Sequence, residues 1–256
     1  MKKTAIFLSN DEISRYVYEK LKKEKEIFPL SFSKLDFVQS NIISKGDILS
    51  FLNLLERENI EEFIFIGKIE PSEIFKTDFH ISGKHFLEKI KGWRGEEILK
   101  KLAELLEERG IKIIPLTEIF KDEIAEKKIY TERKVNEKEM EDIKTGFEIG
   151  KILIKYRVGQ SLTIKNGMVI AIEGIEGTNE MIERTGKYVK DFVFVKLAGE
   201  GKDLRFDLPV IGPDTIKILA KNKGRVVGIE SGKTIIFKKE EVISLCNNEN
   251  ISLISL

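Results

Sequence analysis

Within the run Lys202-Asp203-Leu204-Arg205-Phe206-Asp207-Leu208-Pro209, charged and apolar side chains alternate from Asp203 onward. In an extended strand residues two apart share a face, so Asp203, Arg205 and Asp207 are expected on one wall and Leu204, Phe206 and Leu208 on the other. Carboxylates about 7 Å apart along a strand can share a hard divalent cation or its waters, and a guanidinium between them can hold a phosphate bidentately. The chemistry this suggests is metal-assisted work on a phosphate. The solvated face of a half-buried antiparallel strand carries the same alternation, so the pattern by itself leaves both readings open.

Two turns could receive an anion. Glu173 closes an apolar strand, Gly174 and Gly177 permit a tight turn, and Thr178 or Asn179 can cap the helix that follows. Unpaired N–H groups at such a helix start suit a phosphate. Gly212-Pro213-Asp214-Thr215 offers the same arrangement, with Pro213 suited to a first helical turn. Lys196 ends the apolar strand Phe192-Val193-Phe194-Val195 and is chemically able to meet a diphosphate. A plain strand-turn-helix and an exposed strand end have the same spacing. His80 and His85 stand far in sequence from these acids, and Cys246 has no partnered base nearby, so it reads as packing. Trp93 suits core packing, an interface or an acyl group.

The elements that must position these groups differ between the two halves. The first half alternates apolar runs with helical patterns: strand Thr4 to Leu8, helix Asp11 to Lys23, strand Phe28 to Phe32, helix Ile48 to Asn59 and strand Phe63 to Ile66. Helix Glu96 to Arg109 ends at Gly110 before strand Ile111 to Ile114. This rhythm predicts an α/β domain, Rossmann-like in outline, with a parallel sheet and helices on both faces. The first turn, Ser9-Asn10-Asp11-Glu12, lacks the glycines of a dinucleotide fingerprint and carries two acids, which argues against NAD or FAD. Gly67-Lys68 follows the buried strand, either as an ordinary turn or lining a ligand cleft.

Charges dominate from Lys121 to Lys144, a connector leading into a helix from about Glu137. The expected division is residues 1–130 and 131–256. In the second half Asn166-Gly167 signals a type I′ hairpin, and Ser231-Gly232, between Val226 to Ile229 and Thr234 to Phe237, suggests another. With helices near Asn179 to Lys190, Pro213 to Lys221 and Lys239 to Cys246, the second domain reads as mixed α+β and carries the catalytic acids.

Composition narrows the function classes. The 44 basic and 43 acidic side chains leave a net charge of +1, with no electrostatic footprint for nucleic acid. One cysteine excludes an internal disulfide and a thiolate zinc cage, and two histidines disfavour a multi-histidine metal site. Any metal is expected to be a hard cation held by oxygen. The apolar run after Lys2-Lys3 stops at Leu8, short of a signal peptide, and no stretch approaches the roughly 18 apolar residues of a membrane span. The expected location is the cytoplasm.

Several motifs in order resemble the LpxI family of UDP-2,3-diacylglucosamine pyrophosphatases. They are Val158-Gly159-Gln160, Ala171-Ile172-Glu173-Gly174-Ile175-Glu176-Gly177-Thr178, Val195-Lys196, the Asp203 to Asp207 run and Ile211-Gly212-Pro213-Asp214-Thr215-Ile216. The likeness is dense from about Gly159 to Ile216. The chain departs from the family's E-G-T-D at Asn179 and from its Q-D at Lys202. The resemblance implies a metal-dependent hydrolase that splits the diphosphate of UDP-2,3-diacylglucosamine into UMP and 2,3-diacylglucosamine 1-phosphate in lipid A synthesis. It implies Asp203, Asp207 and Arg205 as catalytic, with Asp203, Asp207, Glu173 and Glu176 toward Mg²⁺ or another divalent cation. Lys196, Gly174, Gly177, Thr178, Gly212, Pro213 and Thr215 would then meet substrate. It further implies transient contact with the cytoplasmic face of the inner membrane, leaves room for a homodimer, and asks for an apolar chamber for two acyl chains, expected between the domains. The alternative is a sugar-nucleotide or lipid-binding regulatory protein of the same fold that has lost catalysis.

Overall fold

The computed structural model describes residues 2–67, 77, 79–90, 95–199, 203, 205 and 208–256, the side chains of residues 95 and 96 excepted. The chain divides into two compact units, one of residues 1–119 with 203–207, the other of residues 120–202 with 208–256. The units thus part at Ile119/Phe120, ahead of the expected 130/131, and the Asp203 to Asp207 segment groups with the first unit.

In the first unit β1 (Lys3–Phe7), β2 (Glu26–Ser31), β3 (Asn41–Ile42), β4 (Glu62–Phe65) and β5 (Lys112–Ile113) form a sheet of order β3-β2-β1-β4-β5. Every pairing is parallel, with Ala5 opposite Phe28 on one side and Phe63 on the other. α1 (Glu12–Leu21), α2 (Ile48–Arg57), α3 (Ile81–Glu88), α4 (Gly95–Glu107) and α5 (Leu116–Ile119) complete its described elements. Ala5, Phe7, Phe63 and Phe65 pack with Phe51, Leu52 and Leu55 of α2 and with Ala103 and Leu106 of α4. Ile6 and Ile64, which point the other way, are also fully buried, so both faces of the sheet are covered. Asp11 accepts a hydrogen bond from the Ser14 amide (2.7 Å), so the acid of the first turn caps its own helix. Gly67 donates to the Phe7 carbonyl at 2.7 Å, and a Cβ there would lie 2.8 Å from the Leu8 backbone, which explains the glycine. Lys68 and Trp93 lie outside the described residues.

In the second unit α6 (Glu137–Lys155) starts at a capping box in which Asn136 and Glu139 exchange side-chain and backbone bonds. It is followed by β6 (Ser161–Lys165), β7 (Met168–Ile172), α7 (Gly177–Gly186), β8 (Val193–Lys196), β9 (Val210–Ile211), α8 (Pro213–Lys221), β10 (Val226–Ile229), β11 (Ile235–Ile236), α9 (Lys239–Asn248) and β12 (Ser252–Ser255). The main sheet has order β12-β10-β8-β6-β7, with β8, β10 and β12 parallel and β6 antiparallel to both neighbours. Asn166 (φ 51°) and Gly167 (φ 77°) both take positive φ, the type I′ turn their sequence predicts. One face packs Val193, Val195 and Val226 on Ile143 of α6. The other packs Phe192, Phe194 and Val227 on Met181, Ile216 and Cys246 from α7, α8 and α9. The molecule is therefore α/β in both units, one five-stranded sheet all parallel and the other mixed.

The second expected hairpin does not form. β10 pairs in parallel with β8 and β12, while β11 pairs in parallel with β9 in a separate two-stranded sheet. Val226 to Ile229 are buried on both faces, and such a strand needs neighbours on each side. Ser231 and Gly232 instead donate to the Leu256 and Ala125 carbonyls. The charged connector is likewise held by backbone bonds, Tyr130 donating to Leu253 and Ser255 to Lys128 along the edge of β12.

Candidate functional site

The carboxyl ends of the parallel strands in the second unit define one edge of its sheet. Lys196 ends β8 and sits opposite Ile229 of β10 on one side and Ser161 of β6 on the other. Glu173 follows β7 and donates its amide to the Ser161 carbonyl, so it joins the same edge. Alternation turns Lys196, Ser161 and Glu173 toward the face that carries α7. There the side chains form a chain of bonds: the Lys196 ammonium donates to Thr178 Oγ1 (2.8 Å), which donates to Glu173 Oε1 (2.7 Å). Glu173 Oε2 accepts from Ser161 Oγ (2.7 Å) and the Gln160 amide (3.3 Å). Burial alone would raise the Glu173 carboxyl. The Lys196 charge, then the Thr178 and Ser161 hydroxyls and the Gln160 amide, outweigh it and hold the group below its ordinary value.

The turn after Glu173 is built as its glycines suggest. Gly177 takes φ +83° and donates to the Gly174 carbonyl at 3.2 Å, and no side chain caps α7. Glu176 is not directed at Glu173's partners; it pairs with Arg184 at 2.6 Å. Gly212 and Pro213 begin α8, also without a side-chain cap, with Thr215 in its first turn and half-buried. Sequence reasoning passed over Glu230, whose Oε2 accepts from the successive amides of Ala198 and Gly199 (3.0 Å each) while its Oε1 pairs with Lys233 (2.7 Å). Its signal was available: like Glu173, it is the first charged residue beyond an apolar strand. Cys246 is buried on α9, which pushes its thiol up to about 12 and leaves it a packing residue.

The described residues of the Asp203 to Asp207 run depart from the expected geometry. Neither Asp203 nor Arg205 belongs to a strand, and the next described strand is β9. The Arg205 amide donates to Asp203 Oδ1 at 3.1 Å, the side-chain to backbone bond of an Asx turn, where an extended strand was expected. The two side chains consequently face each other. Arg205 Nε lies 2.9 and 3.0 Å from the two Asp203 oxygens and its Nη2 lies 2.7 Å from Oδ2, while Nη1 reaches Glu107 at the end of α4 (2.5 Å). That guanidinium is the main reason the Asp203 carboxyl stays below its ordinary value. The Arg205 carbonyl accepts from the Leu116 amide at 3.0 Å, docking the turn within the first unit. Leu204, Phe206 and Asp207 lie outside the described residues.

Among the described residues no three His, Cys, Asp or Glu side chains converge as metal ligands. Glu173 holds three neutral donors, Glu176 an arginine and Asp203 an arginine, so as placed these three acids do not by themselves fit a divalent cation. None of the described helices is long and apolar enough to cross a membrane.

Comparison with known proteins gives two matches that tile nearly the whole chain. Residues 14–123 match the LpxI N-terminal domain and residues 126–254 the LpxI C-terminal domain. The chain belongs to the LpxI family. The UDP-2,3-diacylglucosamine pyrophosphatase LpxI of Caulobacter vibrioides is 27% identical over 119 residues, a stretch covering 43% of this chain and 42% of that relative. The chain thus aligns with less than half the length of that curated LpxI. The two LpxI domain matches meet between residues 123 and 126, inside the connector that docks on β12.

Proposed function

We propose that this chain hydrolyses the diphosphate of UDP-2,3-diacylglucosamine, giving UMP and 2,3-diacylglucosamine 1-phosphate in lipid A synthesis. The observation that carries the reading is the tethered cation at the carboxyl edge of the mixed sheet: Lys196, bound to Thr178 in the first turn of α7 and set against half-buried Glu173. A diphosphate meets there a fixed ammonium and a helix start without a side-chain cap. Membership of the LpxI family, and the activity named for the Caulobacter relative, supply the substrate class.

In this reading water adds across the P–O–P bridge, its oxygen going to one phosphorus and the bridging oxygen leaving with the other. Lys196 steadies phosphate oxygens, and Glu173 acts through Thr178 to hold that ammonium. Gly174 and Gly177 let backbone approach the phosphates, with the α8 start at Gly212, Pro213 and Thr215 as a second contact. Asp203 and Asp207 orient the attacking water, and Arg205 takes phosphate charge once Glu107 releases it. Mg²⁺ or another divalent cation would neutralise diphosphate charge. The setting proposed is the cytoplasmic face of the inner membrane.

A second reading keeps the fold and the ligand but not the turnover. It is favoured by the way Arg205 and Asp203 satisfy each other, leaving a guanidinium already shared by two acids. Incubating purified protein with UDP-2,3-diacylglucosamine, with Mg²⁺ or with chelator, and following UMP by chromatography separates the two. UMP release supports the hydrolase, and chelator sensitivity adds the cation. Saturable substrate binding without UMP under both conditions leaves the binding protein.

A further inference from the structure

α6 ends at the same sheet edge as the Glu173 cluster, because the short link from Tyr156 to Gln160 leads straight into β6. Its last turn is unusual for a surface helix. From Ile149 to Gln160 the sequence has no acidic residue, while Lys151, Lys155 and Arg157 are all exposed. Between these cations large apolar groups face solvent: Ile152 is 58% exposed, Tyr156 71% and Val158 50%. Ile152 and Tyr156 lie four residues apart on one helical face, as do Lys151 and Lys155 beside them. Gly159 lies so close to the Glu173 carbonyl that a Cβ would fall 2.2 Å from its oxygen, which brings the 158–160 and 173–175 backbones together. Ile175, 67% exposed, extends the apolar set into that neighbouring turn. Arg157 also holds φ +60° at the helix end, where glycine is the usual residue, so a cation is kept at some backbone strain.

We propose that this basic and apolar end of α6, with Ile175, is a docking surface for an anionic lipid bilayer. Interleaved cations meet lipid phosphates while Ile152, Tyr156 and Val158 enter the interface, the division of labour that interfacial segments use. Tyrosine suits that depth, with an apolar ring and a wet hydroxyl. The choice of a bilayer as occupant rests partly on the lipid substrate proposed above, since docking here would bring the Lys196 edge toward a headgroup whose acyl chains remain in the membrane.

The test is co-sedimentation of the full chain with substrate-free vesicles, either of phosphatidylcholine alone or with about one-third phosphatidylglycerol. Wild type should favour the anionic vesicles about tenfold and lose that preference at high salt. Lys151→Glu with Lys155→Glu should lower anionic binding about tenfold or more, and Ile152→Ser with Tyr156→Ser should lower it comparably, which a charge-only contact would not. All four positions are exposed, so the fold should persist, with only a small drop in melting temperature where glutamate meets the helix C-terminus. Wild type that stays in the supernatant with anionic vesicles at low salt overturns the proposal. So do variants that sediment like wild type, or a face whose variants instead turn a dimer into a monomer in sedimentation velocity. UMP release from detergent-dispersed substrate is read separately: vesicle binding without turnover defeats the hydrolase alone, and turnover without vesicle binding defeats this surface alone.

Discussion

Two acid and cation clusters among the described residues are wired differently. At the carboxyl edge of the mixed sheet, one half-buried carboxylate, Glu173, gathers two hydroxyls and an amide, and one of those hydroxyls, that of Thr178, also accepts from Lys196. In the Asp203 turn, one guanidinium is clamped directly by two carboxylates, those of Asp203 and Glu107. The first arrangement holds its cation through a hydroxyl as well as through the charge of Glu173. The second encloses its cation, so an anion must compete with Glu107 before it can use Arg205. A hydroxyl relay and direct charge pairing thus hold the two cations in different ways.

The sharpest break in that comparison is expected at Asp203. If its carboxylate orients water at the diphosphate, Asp203→Ala lowers kcat about 100-fold or more while substrate affinity and fold persist. If the carboxylate only neutralises Arg205, kcat stays near wild type and the change appears as a small loss of stability, since exposed pairs are worth about 0–1 kcal/mol. Steady-state kinetics with a melting curve on the same preparation distinguishes the outcomes. Arg205→Ala should raise KM and lower kcat together.

Glu173 is expected to act on stability as well as on Lys196. Glu173→Ala leaves the Ser161 hydroxyl and Gln160 amide without their acceptor in a mostly buried place, a loss of about 2 kcal/mol at neutral pH. The sign with pH follows from its lowered folded-state value. As pH falls below the ordinary glutamate range near 4.3, the unfolded chain takes up its proton first, so stability present at neutral pH is lost as pH passes through the lower folded value. Urea midpoints of wild type and Glu173→Gln should therefore converge as pH drops below about 4. A gap that stays constant from pH 7 to that range removes the charged Glu173 and Lys196 relation from the account.

A smaller effect is expected at Glu107, on the enclosed side. Glu107→Gln weakens one of the two clamps on Arg205, and a pair this exposed sets the scale at no more than about fivefold. If Arg205 receives substrate phosphate, KM falls by that factor. An unchanged KM with a lowered melting temperature makes the clamp structural.

How much of this was legible depended on whether local chemistry or long-range pairing decided the outcome. Asp11, Asn136 and Pro213 start their helices as their types suggest, and Asn166-Gly167 turns its hairpin, because each effect acts within four residues. Ser231-Gly232 carried the same kind of signal and misled, since doubly buried Val226 to Ile229 recruits β8 and β12 from far along the chain. The alternation at Asp203 and Arg205 satisfied a strand pattern, yet the aspartate's ability to bond the amide two residues on prevailed. Glu107 could not be foreseen as a partner of Arg205, being 98 residues away. The Glu173 turn was readable because strand end, glycine pair and helix start adjoin.

The finest probe of the contrast is Gly150→Ala, which acts on the Lys196 side alone. Gly146 and Gly150 lie one turn apart on α6 where the helix presses on β8: a Cβ would sit 2.9 Å from Val195 Cγ2 at the first and 2.3 Å from Leu197 Cδ1 at the second. Alanine in a helix interior is ordinarily favoured over glycine by about 1 kcal/mol, whereas overpacking a closed core costs about 1–3 kcal/mol. Leu197 is fully buried and has little room to yield, so the net expectation is destabilisation of about 1 kcal/mol. Because Leu197 follows Lys196 directly, the displaced side chain should shift the ammonium slightly, raising KM by about twofold and leaving the effect of Asp203→Ala on kcat unaltered. A double variant measured against both singles reads the coupling. Additive changes in free energy would keep the two clusters independent, whereas strong coupling between Gly150→Ala and Asp203→Ala would mean that the relay and the clamp respond as one.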